Sequence, residues 1–160
     1  MRKLILIRHA KSSWELPCKD IERPLQAKGV LRALKVATHT KMYLPESYAV
    51  FSSPAVRAFE TAKLFLSAWG IPFSICTVVP ALYTFDGVQL EEIVKSCAND
   101  QKNVILFGHN DAITEFVNKF GDVNILNVPT AGFVEIVFES NDWKSIKKGK
   151  TTAVVFPKQV

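Results

Sequence analysis

Lys3-Leu4-Ile5-Leu6-Ile7-Arg8-His9-Ala10 sets four consecutive aliphatic residues directly before an arginine and a histidine. A continuous apolar run of this length is what a central strand needs when both faces of its sheet are covered. A secretory core would need roughly 7–15 apolar residues, so a strand is the expectation here rather than a leader. Asn103 to Phe107 repeats the pattern and ends in Gly108-His109.

Between these two runs the pattern alternates. Residues 10–24 hold Pro17 and Pro24 and little periodicity, which predicts a loop. From Leu25 to about Leu44, apolar residues recur at helical spacing (Val30, Leu31, Leu34, Ala37), and Pro45 helps to end the helix. Tyr48 to Phe51 reads as a second strand. Ser53 as N-cap and Pro54 at the first helical position then start a helix that runs to Trp69 and closes at Gly70 and Pro72. Phe73 to Val79 reads as a strand and Gly87 to about Ala98 as a helix. A further helix spans Asp111 to Phe120, with Gly121 as its stop. Gly132–Glu139, Trp143–Ile146 and Thr151–Phe156 read as closing strands. The expectation is an α/β fold over residues 1–160 as one domain: a mostly parallel sheet with helices on both faces and antiparallel pairing near its end.

With 48% hydrophobic and 22% charged residues, the chain has material for a core and is not a disordered sequence. No stretch nears the ~20 apolar residues of a membrane span. Cys18, Cys76 and Cys97 are odd in number and lack short pairings, which argues against a disulfide framework or zinc knuckle and fits a reducing cytoplasm. Cys18, near the proposed site loop, also leaves room for a free reactive thiol. The net charge of +5 suits anionic partners. The basic residues are scattered, however, and show no stripe interleaved with aromatics, so nucleic acid is not expected. The densest group, Lys144, Lys147, Lys148 and Lys150, reads as a solvated hairpin tip.

Ligands of open α/β sheets gather beyond the carboxyl ends of the strands. Arg8-His9, Ser52-Ser53-Pro54 and Gly108-His109 all fall there, and Arg57 lies one turn into the helix that follows Pro54. Arginine grips phosphate oxygens bidentately, and a neutral imidazole is a competent nucleophile at pH 7. Taken singly, a histidine after a strand is more often structural, and Arg57 more often superficial. Metal binding by His9 and His109 also competes, but no carboxylate or thiol stands at ligand spacing and two arginines would repel a cation.

Leu6 to Trp14 resembles the arginine–histidine signature of the histidine phosphatase (phosphoglycerate mutase-like) superfamily, and most nearly its SixA-type phosphohistidine phosphatase branch. Glu22-Arg23-Pro24-Leu25-Gln26-Ala27-Lys28-Gly29 is similar to that branch's D-R-P-L-x-x-x-G. Ser52 to Ala62 is similar to S-S-P-x-x-R-A-x-x-T-A, and Phe107-Gly108-His109-Asn110 and Val128-Pro129-Thr130-Ala131-Gly132 also fit. The five blocks cover nearly the whole chain in order. The resemblance implies the phosphoglycerate mutase-like three-layer α/β/α fold and a two-step hydrolysis without metal or organic cofactor. His9 would be the nucleophile, Arg8, Arg57 and His109 the rest of the phosphate pocket, and Lys11 and Ser12 contacts on the substrate's leaving side or simply loop residues.

One departure narrows the substrate. Larger relatives that act on esters carry an acidic residue after the third strand, where this chain reads Pro80-Ala81-Leu82-Tyr83-Thr84-Phe85-Asp86-Gly87, with Thr84 at the acid's approximate place. Asp86 is the only carboxylate nearby, as helix cap or as acid. Without an acid, alkoxides leave poorly, whereas imidazole, with a pKa of ~6.5, leaves readily. The expectation is therefore a phosphohistidine phosphatase acting on a phosphotransfer or phosphocarrier protein. The alternatives are a small-metabolite phosphatase with Asp86 as acid, or a module that binds phosphorylated partners without turnover.

Overall fold

In the computed structural model, which describes residues 1–160, the first apolar run forms β1 (Arg2–Arg8) at the middle of a six-stranded sheet. The remaining elements are α1 (Ala27–Thr40), β2 (Ala49–Ser52), α2 (Val56–Trp69), β3 (Cys76–Val78), α3 (Gly87–Lys95), β4 (Asn103–Gly108), α4 (Ala112–Phe120), β5 (Phe133–Phe138) and β6 (Lys150–Val155). Strand order is β3-β2-β4-β1-β5-β6. The pairs β3–β2, β2–β4 and β4–β1 are parallel, while β5 and β6 add antiparallel at one end.

Side chains alternate across a strand, so a strand buried on both sides feeds two cores. Leu4 and Leu6 point into a core made with α3 and α4, through Leu90, Val94, Ile113 and Phe116. Ile5 and Ile7 point into the other, made with α1 and α2, through Val36, Ala37, Phe65 and Leu66. The architecture is the expected three-layer α/β/α arrangement.

Several boundaries differ from the sequence expectation. α2 begins at Val56, with Ala55 rather than Ser53 at the N-cap position. Gly70 ends α2 in the left-handed conformation, φ 75°, as expected of a glycine stop. α1 ends at Thr40 and continues only as a 3-10 turn over Lys41–Tyr43. α3 ends at Lys95, short of Ala98. The predicted strand over Phe73–Val79 is halved, since Phe73–Ile75 is a 3-10 turn. Trp143–Ile146 is not a strand: Trp143 and Ile146 plug the α3/α4 core from an irregular loop, with the indole N–H donating to the Gln101 carbonyl. The four lysines at 144, 147, 148 and 150 are exposed in and beside that β5–β6 connection. No helix is long and apolar enough to cross a membrane.

Candidate active site

Three neighbouring parallel strands end side by side. In the register of β1 and β4, Arg8 faces Gly108, and in that of β2 and β4, Ser52 faces Phe107. The ladder runs one residue further on each side, as the His9 N–H donates to Gly108 O (3.1 Å) and the Ser53 N–H to Phe107 O (3.0 Å). His9, His109 and Ser53 therefore emerge in a row, and the His9 and His109 ring centroids lie 5.3 Å apart.

His9 is buried, and its Nδ1 donates to the Ala10 carbonyl at 2.7 Å. A carbonyl can only accept, so the proton sits on Nδ1 and the lone pair on Nε2 is free for attack. Burial, with the charges of Arg57, Arg8 and Arg23 around it, lowers the imidazole from 6.5 to about 4, although the Ala10 bond opposes the shift. His109 is likewise lowered to about 3, by burial first and then by His9 and Arg57. Both rings are neutral at physiological pH.

The Ser53 hydroxyl lies 2.8 Å from His109 Nε2 and also accepts the Ala55 N–H (3.2 Å). Assigning the Ser53 proton to Nε2 makes His109 Nδ1 a donor, and Nδ1 is buried without any partner. The same holds for Arg8 Nε, Arg23 Nη1 and Arg57 Nε. Buried donors are paired in the great majority of cases, so four orphans beside the His9 ring mark a place that an oxyanion would fill.

Each arginine is held by its other nitrogens. Arg8 Nη1 donates to Val128 O at 2.9 Å. Arg57, only 2% exposed, donates from Nη1 to Asp20 O (2.7 Å) and from Nη2 to Asp20 Oδ2 (3.0 Å). Arg23 Nε donates to Asp20 Oδ1 at 3.1 Å, and its guanidinium lies 3.4 Å from the centre of the exposed Trp14 ring. Thr61 joins α2 to β1, accepting the Ala10 N–H (2.9 Å) while donating to Arg57 O (2.6 Å). From the far side the Ala131 N–H, at φ 62°, donates to both Arg8 O and His9 O.

Of the residues expected from sequence, Arg8, His9, Arg57 and His109 come together. Lys11 and Ser12 do not join them: the Lys11 side chain lies beside Lys28 of α1, and Ser12 pairs its backbone with Leu25. The loop packs tightly on α1 here: at Gly29 an added Cβ would stand 2.4 Å from the Lys11 carbonyl. Asp86 caps α3, accepting the Val88 N–H at 2.9 Å. Thr84, at the approximate place of the family's acid, is buried and donates to Gln89. Nowhere do three His, Cys, Asp or Glu side chains gather as a metal ion would require.

Asp20, Arg23, Tyr83 and the role of Ser53 escaped the sequence reading. Tyr83 donates its hydroxyl to Asp20 Oδ2 at 2.5 Å and sets its ring edge-on to His109, as does Phe85. Asp20 occupies a 3-10 turn within a segment whose prolines suggested only loop. Its spacing three residues before Arg23 was the available signal.

The histidine phosphatase superfamily (branch 1) model matches residues 4–78. An uncharacterized chloroplastic protein of Arabidopsis thaliana is 30% identical over 154 residues, covering 89% of this chain and 69% of its own length. Among solved structures, the protein histidine phosphatase SixA complexed with tungstate superposes with a TM-score of 0.79 at 19% identity, covering 98% of both chains. A SixA protein of Agrobacterium tumefaciens gives 0.76 at 19% identity, over 96% of this chain and 97% of its own. A mycobacterial glucosyl-3-phosphoglycerate phosphatase gives 0.66 at 14% identity, over 96% and 98%.

Proposed function

We propose that this chain, which belongs to the histidine phosphatase superfamily, hydrolyses phosphohistidine on a protein partner through a phosphohistidine intermediate on His9. The carrying observation is the set of four unpaired buried donors, Arg8 Nε, Arg23 Nη1, Arg57 Nε and His109 Nδ1, gathered around a neutral imidazole whose Nε2 is free.

In the first step the Nε2 lone pair attacks phosphorus, and the bond to the leaving atom breaks with its electron pair departing on that atom. The orphan donors meet the charge on the phosphoryl oxygens, preset for the transition state. Nδ1–H, bonded to Ala10 O, delocalises the positive charge that develops on His9. In the second step water attacks the phosphoryl group, His9 leaves, and inorganic phosphate departs. No metal ion takes part in either step of this reading.

Proton supply favours the substrate class. His109 is neutral with its Nδ1–H given to the oxyanion. Asp20 is held down to about 2: desolvation opposes the shift, but bonds from Tyr83 and Arg57 outweigh it. Tyr83 is pushed up by its bond to Asp20, and Asp86 is committed to its helix. A pocket without a ready acid disfavours alkyl esters, whose alkoxide needs a proton worth ~10²–10⁴-fold in rate. It serves a phosphorylated imidazole well. The exposed Trp14 and Phe85 beside the pocket suit a phosphorylated side chain displayed by a folded protein, such as a phosphotransfer or phosphocarrier domain. The SixA structure with tungstate makes that oxyanion a suitable probe of the same pocket here.

The test is a substrate panel of a histidine-phosphorylated protein, an activated aryl phosphate and a sugar phosphate. The first two should turn over, the first with the higher kcat/KM, and His9→Ala should abolish both. Preference for the sugar phosphate, or full activity in His9→Ala, overturns the reading.

A further inference from the structure

We infer that Asp20 reads the leaving group: its carboxylate accepts the remaining ring N–H of a phosphorylated histidine and keeps that ring protonated while the phosphoryl group passes to His9. The inference rests on the phosphohistidine reading above and assigns to one residue the selectivity that reading needs.

A carboxylate offers about four acceptor sites on its two oxygens. Arg23 fills one on Oδ1, while Arg57 and Tyr83 fill both on Oδ2. One site on Oδ1 remains, on a side chain that is 40% exposed, whereas Arg57 beside it is 2% exposed. Asp20 thus joins the floor of the pocket to its mouth. Its partner Tyr83 comes from the stretch after β3 where ester-cleaving relatives carry their acid, and it touches His109 edge-on. The open acceptor therefore stands where a leaving group passes.

The electron count explains why an acceptor there helps. When the P–N bond breaks, its electron pair goes to the leaving nitrogen. The departing ring is neutral imidazole if the other nitrogen already carries a proton, and an imidazolate if it does not. Free imidazole has a pKa of ~6.5, so near pH 7.5 that second proton is mostly absent. An anion within hydrogen-bond reach raises the ring's proton affinity and restores the good leaving group. Arg23, Arg57 and Tyr83 face Asp20 from their three segments and keep it ionised throughout this range. An alcohol or phenol leaving group has no N–H to offer and meets only a negative charge. Asp20 so favours one class and opposes the other without moving a proton itself.

Asp20→Asn and Asp20→Glu, assayed against a phosphohistidine-bearing peptide and p-nitrophenyl phosphate, test this. Loosening of Arg57 and Arg23 in Asp20→Asn lowers both activities, so the readout is their ratio. The ratio of kcat/KM values, phosphohistidine over aryl phosphate, should fall at least tenfold in Asp20→Asn and recover in part in Asp20→Glu. The alkaline limb of the phosphohistidine profile should shift to lower pH in Asp20→Asn, while the aryl phosphate profile keeps its position. Equal losses on both substrates, or an alkaline limb that stays in place, assign Asp20 to arginine positioning alone and overturn the inference. If the unaltered protein does not prefer phosphohistidine, the proposed function itself falls and takes the inference with it.

Discussion

The Ser53 hydroxyl, 2.8 Å from His109 Nε2, orients the ring that stands 5.3 Å from that of His9. Ser53 follows β2 and His109 follows β4, so two adjacent strands bring the hydroxyl to the imidazole. Ser53→Ala releases it and leaves Nε2 buried without a partner, a change typically worth ~1–3 kcal/mol. Roughly tenfold or more should be lost from kcat on an aryl phosphate, with a smaller effect on KM. Steady-state kinetics check this, and a kcat within twofold of the unaltered protein would contradict the assigned role.

Acid should inhibit late and destabilise early. His9 is neutral down to about pH 4, so phosphoenzyme formation should persist well below the 6.5 of ordinary imidazole. Stability follows the opposite edge. Between about 4 and 6.5 the unfolded chain binds protons at His9 and His109 that the folded chain refuses, so stability rises with pH across this window and is full above it. A Tm that falls from pH 6.5 to 4.5, with a shallower fall in His9→Asn, is the expected result in thermal scans.

Gly29→Ala should damage the site from behind. Its Cβ would stand 2.4 Å from the Lys11 carbonyl, a backbone atom that cannot yield cheaply. Overpacking of this kind costs typically ~1–3 kcal/mol, which for a chain of this size corresponds to about 2–4 °C of Tm per kcal/mol. The segment carrying Asp20 and Arg23 should shift with Lys11, raising KM. An unchanged Tm and KM in Gly29→Ala would show the contact to be unimportant.

Asp86→Ala separates a cap from an acid. Loss of the bond to the Val88 N–H should cost ~0.5–2 kcal/mol in stability. If Asp86 were the proton donor of a small-metabolite phosphatase, sugar phosphate turnover would drop sharply while aryl phosphate turnover held. The expected outcome is a lower Tm, with aryl phosphate turnover held and no further loss of whatever slow sugar phosphate turnover the unaltered protein shows.

Arg8, His9, Arg57 and His109 were legible in the sequence because strand ends and a helix start carry strong local signals, and the parallel sheet then gathers them without further information. Ser53 was misread for an instructive reason. Serine before proline is a good helix start, and its hydroxyl does accept the Ala55 N–H, but the same oxygen also bonds His109, 56 residues away, which no local pattern announces. Trp143 was misread as strand because an aromatic among polar residues looks the same whether it extends a sheet or plugs a core. Asp20 and Tyr83 stand 63 residues apart and meet only in three dimensions. Nothing in either segment alone announces the contact.

The register that sets Arg8 opposite Gly108 has a consequence for how this molecule can be controlled. The interval between the two imidazoles is essentially one strand-to-strand step, ~4.8 Å in any sheet, and it is spanned by backbone hydrogen bonds at the centre of the fold. No effector can stretch it without unzipping the protein. Control must therefore act at the doorway, where residues 10–24 and 80–87 stand, by deciding who enters. Those same segments carry Asp20, Arg23 and Tyr83, which brace Arg57 from outside the sheet, so the fixed strands and the doorway loops meet in a single carboxylate.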